Sequence, residues 1–112
     1  MVDLDRLLQL AGAVAAGEFG VGGSLIDYKG DIDEETARSL SMLCAANTLL
    51  ARTQVETASK VTRLNLTPLK GWMMSAGDYT VCVMGEIGVV VITDKADFNE
   101  VRKVLTEEAT FI

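Results

Sequence analysis

The side chains able to do chemistry in these 112 residues are few, and their spacing points away from catalysis. There is no His, which removes the commonest general base and zinc ligand. Ser24, Ser39, Ser41, Ser59 and Ser75 are the only serines, and none lies in a nucleophile-elbow sequence. The acidic pairs Asp31 with Asp33, Glu34 with Glu35 and Glu107 with Glu108 could serve as acid and base or hold a hard metal. Each falls at an expected helix end, however, where solvated carboxylates simply offset the helix dipole. The glycine-rich run from Gly17 to Ser24, GEFGVGGS, lacks the Lys and Ser or Thr that close a phosphate loop, and a strand rather than a helix follows it, so it reads as a turn. Cys44 and Cys82 stand far apart in apolar runs, the usual setting of reduced, buried thiols. No catalytic residue, metal or cofactor is expected, and the chain is not read as an enzyme. What remains is a capacity for contact. Trp72, Met73, Met74 and Met84 could line an adaptable apolar pocket or could fill the core of a sheet. Lys70 and Trp72 open a strand suited to a sheet edge, so Lys70, Trp72 and Met84 are the candidate ligand or partner contacts.

The elements that must position these residues form one domain covering 1–112. A chain of this length with 49% hydrophobic residues can bury one core. Ten Lys and Arg against sixteen Asp and Glu give a net charge of −6, the wrong sign for a partner held by phosphates, so neither nucleic acid nor an anionic membrane is an expected partner, and no membrane insertion is expected. The N-terminal MVDLDRLLQL carries acids where a signal peptide has bases, and no apolar run reaches membrane-spanning length, which makes the expected location cytoplasmic.

Along the chain, Leu4, Leu7 and Leu8 mark a short amphipathic helix ending at Gly12. Ala13 to Phe19 and Ser24 to Tyr28 form a hairpin around the glycine turn. A stretch without Gly or Pro, from about Asp33 to Thr62, predicts a single long helix, capped through Asp31 with Glu34 or Asp33 with Thr36. Ala37, Leu40, Leu43, Cys44, Leu50, Ala51, Val55, Ala58 and Val61 give it a broad apolar face, and Asn47 and Gln54 a polar spine. At about 1.5 Å per residue such a helix is longer than a compact domain of this size is wide, so part of its surface calls for a second copy or another protein. Three strands follow, Gly71 to Ala76, Tyr79 to Met84 and Val89 to Thr93, forming a meander. The last of them is apolar without alternation, as in a strand covered on both faces. A final helix from Lys95 to Glu107, capped by Asp94, buries Phe98, Val101, Val104 and Leu105. The whole is an α+β sandwich of order α-β-β-α-β-β-β-α, with a single five-stranded antiparallel sheet and helices on both faces.

That order resembles the roadblock family of dynein light-chain-like domains, with their roadblock/profilin-like fold. The likeness is carried by Gly12 to Gly17 leading into the first strand, Gly23-Ser24-Leu25-Ile26 in the second and Asp78-Tyr79-Thr80-Val81 in the fourth. CAANT from Cys44, LTPLKGW from Leu66 and DKADFNEV from Asp94 resemble a small prokaryotic branch of that family without an assigned function. The resemblance implies strand order 2-1-5-4-3 and a homodimer, or a heterodimer with a family paralogue. In that assembly the third strand would pair with its counterpart and the long helices would lie side by side. Leu40, Leu43, Asn47, Leu50 and Gln54 would then line the helix pair, and Met73, Met74 and Ser75 the strand pairing. It further implies a non-enzymatic scaffold or regulator whose client is a small Ras-like GTPase or another switch protein. The alternative is a small-ligand binding module with an apolar pocket at the sheet face or dimer groove, near Trp72, Met74 and Met84.

Overall fold

The computed structural model describes residues 2–109. Asp3 caps helix α1 (Leu4–Leu8), its carboxylate accepting from the Arg6 amide. Strands β1 (Ala13–Phe19) and β2 (Leu25–Gly30) form the first hairpin, with a bulge between Glu18 and Phe19. Helix α2 (Glu34–Thr62) follows, then β3 (Gly71–Ala76), β4 (Tyr79–Met84), β5 (Ile87–Ile92), one 3-10 turn (Thr93–Lys95) and α3 (Phe98–Glu108). All pairings are antiparallel, in the order β2-β1-β5-β4-β3, so β2 and β3 are the two edges.

The pleat of the sheet sorts the core into two layers. Leu4 and Leu7 of α1 and Val101, Val104 and Leu105 of α3 pack on Ala16, Cys82, Ile87, Val89 and Val91. On the opposite face Cys44 and Ala45 of α2 meet Phe19 and Val83, with Trp72 and Val81 beside them. Strand β5 is therefore fully covered on one side only: Val89 and Val91 are buried, whereas Val90 and Ile92 are half-buried. The unalternating apolar run predicts a strand covered on both faces, and the second cover is incomplete.

Of the two caps the sequence offers for α2, the structure takes Asp33, which accepts from the Thr36 amide at 2.8 Å. Other boundaries depart from the sequence reading. β5 begins two residues before Val89, at Ile87, and ends at Ile92. Asp94 does not cap the last helix: it lies in the 3-10 turn, and Asp97 receives the Asn99 and Glu100 amides instead. Both aspartates are followed by helix-compatible residues, and the cap falls where Phe98 can still reach the core formed by α1 and β5.

A polar clasp that the sequence did not disclose joins α1 to α3. Glu108 accepts from the Asp3 amide at 2.8 Å and from Arg6 at 3.0 Å, and Arg6 also pairs with Glu107. The Asp3 amide and the Arg6 guanidinium hold the Glu108 carboxyl below the usual carboxylate range, and Thr36 does the same for Asp33. Both native values are depressed, so their stabilising contribution is complete above the unfolded values of about 4. It drains away as pH falls through the lower native values. Thermal melts should accordingly be flat from neutral pH to about 5 and fall towards pH 3, less steeply in Glu108→Gln.

Candidate interaction surface

Helix α2 spans 29 residues, about 43 Å at 1.5 Å per residue, against a longest molecular dimension of 42 Å. Only its first half is anchored: Ala37, Ser41, Cys44 and Ala45 are its buried residues, and none after Ala45 is buried. Small side chains at these positions let the helix approach the sheet closely, and the Ser41 hydroxyl donates to the Ala37 carbonyl at 3.0 Å. The larger apolar residues of the anticipated face are turned outward or only half covered. Leu40 is half-buried over a crevice of about 40 Å³ floored by Ala15, Gly17 and Gly88, while Leu43 and Leu50 are exposed, Leu50 at 59%.

At 100° per residue, Leu43, Asn47, Leu50 and Gln54 share one flank of α2. That flank points towards β3, because the Asn47 amide reaches Met74 Sδ at 3.9 Å. Strand β3 bonds only to β4, leaving its outer backbone groups open, and Met73, Met74, Ser75 and Ala76 are exposed, Met73 at 55%. Of the anticipated interface residues, the structure thus gathers Leu43, Asn47, Leu50, Gln54 and Met74 into one seam running from the helix onto the sheet edge. Met73 and Ser75 belong to the same strand but alternate onto the α3 face. There Ser75 is engaged in a hydroxyl chain through buried Thr80 to Thr93, both links 2.8 Å.

The suggested pocket of Trp72, Met74 and Met84 does not form as a unit. Strand alternation, invisible as long as register was unknown, puts Trp72 and Met74 on the α2 face and Met84 against the α1–α3 core. Trp72 is half-buried, its indole N–H donating to Thr48 at 2.9 Å. Lys70 is exposed, and its carbonyl accepts from Gly85. Thr48 enters the sequence reading only as the end of the CAANT run and is given no contact there, although its position four residues after Cys44 places it on the sheet side of the helix. Among the described residues no group of three His, Cys, Asp or Glu could hold a metal, and no helix is long and apolar enough to cross a membrane.

Cys44 and Cys82 are buried, unpaired and on opposite faces of the sheet. Burial pushes both thiols up to about 11, so each stays protonated and unreactive at neutral pH. Ellman's reagent should therefore leave the native protein unlabelled and report two thiols per chain only after denaturation.

Residues 3–107 match the profile of a family described as Uncharacterized conserved protein (DUF2173). The chain belongs to this family. No curated protein matches it in sequence. Its fold is that of roadblock domains: a Roadblock/LC7 domain from Streptomyces avermitilis superposes with a TM-score of 0.75 at 14% identity, covering 93% of this chain and 86% of the other. The gliding protein MglB of Thermus thermophilus gives 0.75 at 15% identity, covering 94% and 78%. An MglB with tetrameric arrangement gives 0.76 at 15% identity with the same coverage. At these identities the likeness establishes architecture, and it agrees with a family member of roadblock fold whose function is unassigned.

Proposed function

We propose that this DUF2173 member is a non-enzymatic scaffold that works as a homodimer and presents a composite surface to a switch protein. The observation that carries the reading is the seam itself. An unpaired edge strand and an exposed leucine flank lie side by side, and antiparallel pairing of two β3 strands would satisfy the first while packing two α2 helices together would cover the second. Leu43, Asn47, Leu50, Gln54 and Met74 form its centre, with Leu40 beneath the helix and Met73 and Ser75 on the far side of the paired strands. A tetrameric arrangement, as described for an MglB of the same fold, suits a protomer with more than one self-contact. A small Ras-like GTPase is the client class that the roadblock architecture suggests.

The test is mass in solution, by light scattering after size exclusion over a range of concentrations. Twice 12.0 kDa, or a larger even multiple, is expected. A mass of 12.0 kDa throughout would reject the dimer.

A second reading as a ligand module draws on a trough of about 310 Å³ between β3 and α3, lined by Met73, Met84, Phe98, Val101, Arg102 and Leu105. It would require a saturable rise in melting temperature with some metabolite.

A further inference from the structure

The far end of α2 is organised for display. Arg63 ends the helix in the left-handed region at φ 61°, its amide bonding to the Ser59 carbonyl at 3.0 Å. The Leu64 amide then donates to Thr62 Oγ1 at 3.2 Å, and the Leu66 amide to Ser59 Oγ at 3.0 Å, pinning the returning loop against the last turn. This fixed cap turns its aliphatic side chains outward: Val61 is 78% exposed and Leu64 62%, with Leu66 also exposed. Burying them in the core is not an option, because the helix end lies more than ten residues beyond its last buried side chain.

Charge is distributed just as unevenly. Between Glu56 and Asp78 there is no acidic residue, while Lys60, Arg63 and Lys70 supply three positive charges. The rest of the chain therefore carries nine negative charges in excess, which the overall −6 conceals. Lys60 and Arg63 flank the aliphatic cap, with Glu56 one turn before Lys60, while Lys70 lies away from it where the loop rejoins the sheet, in a crevice shared with Glu18, Arg52 and Glu86; all three cations are exposed, and among the described residues none makes an ion pair.

We propose that this cationic, aliphatic tip is a peripheral contact for an anionic lipid surface. Three aliphatic side chains at a helix end are too few to make a protein interface of ordinary size. They suit shallow insertion at the acyl boundary, with lysine and arginine at headgroup level, a contact that needs no shape-matched partner. The acidic body keeps the association weak, reversible and oriented, with the tip towards the bilayer and the sheet away from it. Leu64 and Leu66 lie beyond the last helical turn, whereas Val61, seven residues after Gln54, continues the flank proposed to pair.

Co-flotation of the full chain with vesicles of phosphatidylglycerol and phosphatidylcholine, against vesicles of phosphatidylcholine alone, tests it. Retention is expected on the anionic vesicles only, and it should fall as salt is raised. Leu64→Asp and Lys60→Glu, both at exposed positions, should each lower the bound fraction at least about fivefold with unchanged circular dichroism and melting temperature. No retention of the unaltered protein at low salt would overturn the proposal, as would equal retention of both variants. Loss of a protein partner on Leu64→Asp without any vesicle binding would assign the tip to a protein contact instead, and would overturn it equally.

Discussion

Leu50→Glu and Leu43→Glu should each convert a self-associated protein into a folded 12.0 kDa monomer. Both side chains are exposed in the protomer, Leu50 more than Leu43, so a carboxylate at either site costs the isolated fold little. In a helix pair the same carboxylate would be desolvated without a partner, a penalty of several kcal/mol that raises the dissociation constant about a hundredfold or more. Size exclusion with light scattering gives the mass, and circular dichroism separates a folded monomer from an unfolded chain. A dimer that persists in both variants would remove the α2 flank from the interface and leave β3 as the only candidate. Leu49→Glu is the control: Leu49 is equally exposed but lies on the opposite flank of α2, beside Val21 and Arg52, and its substitution should leave the mass unchanged.

The second large effect is expected at Gly30, where β2 ends and the chain turns towards α2. Its φ is +126°, and a Cβ there would lie 2.4 Å from the Val14 carbonyl oxygen and 2.6 Å from Ala15 Cα. Both neighbours are backbone of the adjacent strand and cannot rotate away. Gly30→Ala therefore combines a strained dihedral with overpacking, together about 3 kcal/mol or more. At this size that is a drop in melting temperature of roughly 10 to 20 °C. Gly77→Ala makes the comparison, since its φ of +58° is one that side chains tolerate at modest cost and nothing lies within 4 Å of the added carbon. A loss no larger at Gly30 than at Gly77 would mean that β1 and β2 can separate without consequence for the rest.

The long helix and the β3–β4 hairpin were legible in the sequence because local signals agree there. An uninterrupted helical stretch starts at an aspartate, and Gly77 with Asp78 separates two runs rich in strand-forming residues. Asp94 and Asp97 offer equivalent caps to a reader of sequence, and only packing of Phe98 and Val101 against the sheet decides between them. The Arg6 clasp to Glu107 and Glu108 was out of reach for a different reason: about a hundred residues separate its partners, and no periodicity links them. The candidate seam was half legible. Periodicity put Leu43, Asn47, Leu50 and Gln54 on one stripe, but which apolar residues of α2 the sheet would cover depends on where the helix crosses it. The grouping of Trp72 with Met74 and Met84 failed because alternation along β3 and the register with β4 together assign faces, and a slip of one residue reverses them.

Buried only over Ala37 to Ala45, tied to the sheet again at Thr48 by Trp72 and at most half-buried beyond, α2 has the mechanics of a lever. Its fulcrum lies where Cys44 and Ala45 press on Phe19 and Val83, and its long arm ends at Val61. A load applied at the far end acts through several helical turns, whereas the leucine flank lies close to the pivot. A modest force there becomes a larger one, over a shorter travel, at the helix face beside Met74. In the proposed dimer, tension or tilt at one end would register as a change in how tightly the two copies grip each other.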